Sequence, residues 1–190
     1  MKANNLVGNI EASITLRLNS KAVKMQEEGR EVYNLTAGQL PFMPSQDIRD
    51  ELQKNLTDLK SFQYSPALGL KNLRDKFVDY IQNRRKINFK EAGVDIDCII
   101  SNGAKHSLAN ILFTLINPED EVITIAPYWV TYPEVVKLSR GVMKTVYSNI
   151  EKNYHPSVLD IEQEINDKTK AIIINSPSNP SGVCLSSTWM

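Results

Sequence analysis

Cysteine is scarce in this chain: Cys98 and Cys184 are the only two among 190 residues. Two thiols are too few for a disulfide framework, and the strand-like apolar run around Cys98 suits a small packed hydrophobe, so a reduced, cytosolic setting fits best. Net charge is lacking as well. The 22 Lys and Arg offset the 22 Asp and Glu, which removes the electrostatic case for nucleic acid or an anionic membrane surface as partner. No segment approaches the ~18 uninterrupted apolar residues of a membrane helix, and the opening run MKANNLVGNIEAS has no apolar signal core. Histidine is limited to His106 and His155; neither has a partner cluster at ligand spacing, so both read as solvated and no metal site is expected. Internal repeats and low-complexity tracts are absent. The remaining composition, 42% hydrophobic and 23% charged, is that of a globular chain long enough for one sizeable core.

From Asp97 onward, short apolar runs alternate with helical patterns. Cys98 to Ser101, Glu121 to Ala126, Val142 to Tyr147 and Ala171 to Asn175 read as strands. They lack a clean polar/apolar alternation, which points to burial on both faces and therefore to an α/β fold: a mainly parallel sheet with helices on both faces. Leu108, Ile111, Leu112 and Leu115 make a helical stripe between the first two runs, and Trp129 to Leu138 and Val158 to Ile165 supply the next two crossovers. Upstream, Ile48, Leu52, Leu56 and Leu59 form one helix face and Leu70, Leu73, Phe77 and Ile81 another, joined by the loop SFQYSPALG. The stretch to about Glu28 is a polar helix with a thin seam of Leu18, Ala22 and Met25, which could hardly stand alone and is expected to lie on something else. Val32 to Leu35 reads as a short strand outside the main sheet. The expected division is an arm over 1–28, a small-domain segment and entrance loop over 29–46, and the large domain over 47–190.

Ligands in an open α/β sheet gather beyond the carboxyl ends of the strands. Three loops leave those ends: SNGAKHS, APYWVTYP and NSPSNPSG. In the first, glycine followed by alanine leaves backbone N–H groups uncovered at a helix start, which serves either close packing or an anion such as phosphate. It fits neither of the glycine-rich nucleotide fingerprints. In the second, Trp129 follows a strand end and a proline, either as a core side chain or as a flat surface on which a ligand ring stacks. In the third, Asn179 offers an amide that donates and accepts, held by Pro180, while Gly182 permits a turn closed to other residues; an ordinary proline turn would look the same in isolation.

Taken together, the runs SITLRLNSKA, YNLTAG, YSPALGLKNLRDKF, SNGAKHSL, PEDEVITIAPYWVTYPE and KAIIINSPSNPSG resemble, in order and spacing, the amino-terminal part of a class I/II aminotransferase that uses pyridoxal 5′-phosphate, close to the aspartate aminotransferase branch. The resemblance covers nearly the whole chain. It implies that backbone amides of Gly103, Ala104 and Lys105 hold the cofactor phosphate, that Trp129 stacks on the pyridine ring, and that Asn179 bonds the ring hydroxyl. Tyr64 would reach the phosphate of the other subunit of a homodimer. Gly38 would lie against the substrate's α-carboxylate, and Lys105 would meet a side-chain carboxylate near Ser13 and Thr15. The peptide bonds Ala126-Pro127 and Asn179-Pro180 are expected to be cis.

The same resemblance implies that the lysine binding the cofactor covalently, the aspartate on the ring nitrogen and the arginines for phosphate and α-carboxylate come later than Met190. Of the fifteen lysines, only Lys105 falls in the site cluster, in the phosphate loop. No catalytic residue is therefore expected within these 190 residues, which would be a portion of a longer enzyme and inactive alone. GQLPFMP stands where relatives often carry an acidic residue and PDF, and Ser181 replaces the threonine of the NPTG motif. The implied activity is transfer of an amino group between aspartate or glutamate and a 2-oxo acid. An aromatic or prephenate aminotransferase, a lyase using the same cofactor, and a non-catalytic aminotransferase-like sensor domain are the alternatives; the last needs a basic winged-helix module that residues 1–28 do not supply.

Overall fold

The computed structural model describes residues 4–36 and 38–186. Ala37 of the LTAG run and the last residues of the expected large domain lie outside them. The chain divides into two compact units, one made of Met1–Gly38 with Lys105–Met190, the other of Gln39–Ala104.

In the first unit the chain opens with two helices, α1 (Asn5–Gly8) and α2 (Ile14–Glu27). Asn4 and Ser13 cap them, each side-chain oxygen accepting from a backbone N–H three residues on, which satisfies one of the orphan donors at a helix start. The arm is thus broken in two rather than continuous. Of the expected seam only Ala22 is buried, while Leu18 remains 49% exposed. The backbone N–H of Glu11 donates to Glu134 Oε2 at 3.1 Å, so the start of the arm is tied to a later helix of its own unit.

That unit's sheet has three strands, β1 (Glu121–Ala126), β2 (Val142–Tyr147) and β3 (Thr169–Ile173), all parallel in the order β2-β1-β3. Because successive side chains alternate between faces, central β1 must find cover twice. On one face Val122 packs with Leu112 and Ile116 and with Val135 and Val136, from and just beyond α5 (Ala104–Leu115) and from α6 (Thr131–Leu138). On the other, Ile123 and Val146 meet Ile161 of α7 (Val158–Glu162). Helices therefore cover both faces of a parallel sheet, the arrangement expected from the continuous apolar runs. A Cβ at Gly141, before β2, would stand 2.7 Å from Ile116 Cγ2 and 3.1 Å from the Asp120 carbonyl oxygen; glycine is what lets β2 start this close to the core.

The second unit contains α3 (Gln46–Asn55), a 3-10 turn over Leu59–Phe62, and α4 (Lys71–Arg85). None of its described side chains is buried: Leu52 on α3 and Leu56 just beyond it are 60% and 69% exposed. The helix-period stripe thus forms without cover from the described residues. One charged pair ties α4 to the run before Cys98. Arg74 forks onto Asp97, its Nε donating to Oδ1 at 3.1 Å and its Nη2 to the other oxygen. That guanidinium and the Cys98 backbone N–H hold the Asp97 carboxyl below its ordinary range.

Two expected strands are not strands. Cys98 to Ser101 pairs with no strand among the described residues, and the N–H of Ile100 donates to the Leu68 carbonyl at 3.0 Å instead of to a ladder. Val32 to Leu35 is likewise irregular; the Val32 carbonyl accepts from Gln26 Nε2. Both runs have strand composition, but a strand exists only by pairing. The helix expected over 158–165 stops at Glu162, after which Glu164 and Ile165 bond three residues back in a tightened last turn.

Candidate active site

Parallel strands send their outgoing loops to one end. Ala126 pairs with Tyr147 and Ile173 with Thr124, so the loops after β1, β2 and β3 emerge together. The loop after β1 passes through the cis bond Ala126-Pro127, and the loop after β3 through Asn179-Pro180, also cis, as expected; Ser176-Pro177 is a third, unanticipated.

The β3 loop is held by its own groups. The Asn175 side chain accepts from the Asn179 N–H at 2.9 Å, the Ser178 N–H donates to the Val183 carbonyl at 2.8 Å, and the Gly182 N–H returns to the Ser178 carbonyl at 2.7 Å. Gly182 has φ +72°, a conformation most side chains resist. Asn179 thus has a fixed main chain and an exposed side-chain amide that bonds no partner among the described residues. Beneath it lies a cavity of about 20 Å³ lined by Tyr128, Tyr132, Tyr154, Asn175 and Asn179 among others.

Trp129 is half-buried at the start of the turn into α6. Tyr132 meets it edge to face, with centroids 5.8 Å apart and planes at 84°. The Lys105 ammonium stands over the same indole, 5.2 Å from the ring centroid, within range of a cation–π attraction. Lys105 is in the first turn of α5, whose start follows Gly103 at φ +81°. Nothing lies within 4 Å of a Cβ placed on Gly103, so glycine is needed there for its backbone angle and not for space.

Within the first unit the structure therefore brings Lys105 to Trp129, and Asn179 to a cavity shared with the tyrosine that supports Trp129. Gly38 is exposed. Ser13 spends its Oγ as an acceptor at the α2 cap, and Thr15 sits in the same first turn. Tyr64 belongs to the second unit and is fully exposed. Sequence reasoning passed over Tyr128, Tyr132 and Tyr154. Tyr132 was findable as the aromatic three residues after Trp129 at a helix start, the spacing at which side chains meet. Tyr154 was not: it follows Asn153, both with positive φ, and nothing in their types announces that. Among the described residues no three His, Cys, Asp or Glu gather as metal ligands, and no helix is long and apolar enough to cross a membrane.

The family model for aminotransferase class I and II matches residues 30–188. The chain belongs to that family. It is 36% identical over 183 residues to an aspartate aminotransferase of Bacillus sp. (strain YM-2), covering 94% of this chain and 44% of that protein. An asparagine–oxo-acid transaminase of Streptococcus mutans is 31% identical, with 97% and 46% covered. Among solved structures, aspartate aminotransferase from Thermus thermophilus with maleate superposes with a TM-score of 0.84 at 29% identity, over 95% of this chain and 46% of that one. The chain thus spans less than half the length of the relatives it matches. Pyridoxal phosphate is the cofactor this family implies, and the side chains present fit it: an amide at Asn179 with no partner among the described residues, an indole at Trp129 and a helix start of small residues after Gly103, although the Gly103 N–H itself donates to the Ser101 carbonyl at 2.9 Å.

Proposed function

We propose that this chain is the amino-terminal part of a transaminase that uses pyridoxal 5′-phosphate to move an amino group between aspartate or glutamate and a 2-oxo acid. The observation that carries the proposal is Asn179, fixed through its backbone by Asn175 while its side-chain amide is exposed and bonds no partner among the described residues. A connecting loop has no use for such rigidity; a ring-binding loop does, because a preorganised donor loses little freedom on binding.

In this assignment the N–H groups of Ala104 and Lys105 bind the phosphate with the help of the helix dipole, while Gly103, whose own N–H donates to the Ser101 carbonyl at 2.9 Å, shapes the turn and joins them only by giving up that bond. Trp129 carries the pyridine ring on its face, and Asn179 donates to the ring hydroxyl oxygen. The bound cofactor supplies an electron-withdrawing ring that loosens the bonds at the amino acid's α-carbon. Gly38, exposed and without a side chain, leaves room for the α-carboxylate, and Lys105 with Ser13 and Thr15 receives the distal carboxylate. Maleate, named with the Thermus structure, is a dicarboxylate of that length. The lysine that binds the cofactor covalently is assigned outside residues 1–190, since Lys105 stands over the Trp129 ring and is assigned to the distal carboxylate. The functional unit is proposed to be a homodimer in which Tyr64, fully exposed here, reaches the partner's phosphate. A cytoplasmic location suits two free thiols.

The test uses pyridoxamine 5′-phosphate, which has no aldehyde and so does not label surface lysines. The chain should bind it more tightly than inorganic phosphate. Asn179→Ala should weaken that binding about threefold to tenfold, as for a lost neutral hydrogen bond. Since a donor to the ring oxygen favours its ionised form, the bound ring hydroxyl should also titrate at higher pH in the variant, read by absorption. Unchanged affinity and titration would remove Asn179 from the ring site.

A further inference from the structure

We propose that Tyr132 is a positioning residue that sets the plane of the Trp129 indole and so controls affinity for a flat ring ligand; this rests on the ring-site assignment above. Among the described residues one ammonium and one aromatic ring interact with the indole, and they differ in kind. Lys105 approaches through an exposed, flexible ammonium, the same group that is drawn to any anion entering the site. Once it turns to a phosphate or carboxylate, its hold on the indole is lost. Tyr132 behaves otherwise. It is 8% exposed, its backbone N–H donates to the Trp129 carbonyl at 3.0 Å, and its ring meets the indole at 84°, the edge-to-face geometry aromatic quadrupoles favour. Burial raises its phenol above the ordinary tyrosine value, so the contact stays neutral through the physiological range. In the ligand-bound state Tyr132 is then the remaining brace of the two.

Tyr132 also lines the small cavity together with Asn175 and Asn179. It therefore faces the same cavity as the loop after β3, so that a change of its side chain alters the space next to Asn179 as well as the support of Trp129. The anion-binding start of α5 does not share this cavity, which separates ring binding from phosphate binding in an experiment.

The full chain and its Tyr132→Leu and Tyr132→Phe variants are titrated calorimetrically with pyridoxamine 5′-phosphate and, separately, with inorganic phosphate. Tyr132→Leu should weaken pyridoxamine phosphate about threefold to tenfold, the range of one aromatic pair, and leave inorganic phosphate within twofold. Tyr132→Phe keeps the edge and should stay within twofold on both ligands. Equal losses on the two ligands in Tyr132→Leu, or no loss on either, would overturn the proposal. So would a loss in Tyr132→Phe as large as that expected for leucine, and this arm decides the matter if Tyr132→Leu fails to fold. A wild-type chain with no preference for pyridoxamine phosphate over phosphate would instead overturn the ring site itself.

Discussion

Gly69→Ala is expected to destabilise the chain by about 2 to 5 kcal/mol, the largest loss of the glycine-to-alanine changes in the second unit. Two costs add. Gly69 has φ +93°, and a left-handed backbone costs a residue with a Cβ roughly 1 to 2 kcal/mol. The new methyl would also stand 2.6 Å from Ile100 Cβ and 2.7 Å from Ile100 Cγ1, and overpacking of this kind costs about 1 to 3 kcal/mol. Ile100 has little freedom to retreat, because its N–H is bonded to the carbonyl of Leu68, next to Gly69. The matched control is Gly93→Ala. Gly93 has φ +70° and nothing within 4 Å of its Cβ direction, so it carries the backbone cost without the clash. Chemical denaturation of the two variants isolates the contact, and a Gly69→Ala loss no larger than that of Gly93→Ala would show that Gly69 and Ile100 are not packed as described. Ile100 leads directly into the SNGAK loop, so the same substitution should also weaken binding of inorganic phosphate.

This contact shows where sequence reading ends. The buried sheet was legible: VITIA and VMKTV are apolar runs too long for a loop and too short for a helix, and they became β1 and β2 with the expected bounds. Cys98 to Ser101 has the same composition and became no strand. Pairing depends on a neighbour in space, and the run itself cannot say whether one is there. Helix faces were legible for the same reason as strands, by period, while their ends shifted with the local hydrogen bonds, as at Glu162 and Asn55.

The candidate site divides in a similar way. Asn179 was findable because prolines and a glycine around an asparagine constrain a backbone in a way that residue types reveal. The Asn175 side chain that fixes it was not, since an asparagine at a strand end has many uses. Trp129 could be placed at the mouth of the site, but the two groups on its ring come from turns in register, Lys105 in the first turn of α5 and Tyr132 in the first turn of α6. Their meeting follows from α5 and α6 packing on one face of the sheet, a tertiary fact.

The placement of Lys105 leads to the second large effect. In the active enzyme, Lys105→Ala should cut the preference for aspartate over alanine by roughly tenfold to a hundredfold, measured as the ratio of kcat/KM values. The physical basis is a charge-assisted hydrogen bond to the distal carboxylate, worth about 1.5 to 3 kcal/mol, which alanine as a substrate cannot make. Against it stands the attraction Lys105 gives up on leaving the Trp129 ring, about 0.5 to 1 kcal/mol at an exposed site, so the observed factor should fall toward the lower half of the range. Lys105→Arg keeps the charge and a donor of similar reach, and should retain most of the preference. The competing role is support of the phosphate through the α5 start, and the two roles leave different signatures. If Lys105 serves the phosphate alone, Lys105→Ala lowers kcat/KM for aspartate and alanine by the same factor and weakens the cofactor. If it reads the substrate, aspartate loses far more than alanine, and the backbone N–H groups at Ala104 and at position 105, kept in the variant, retain most of the cofactor affinity.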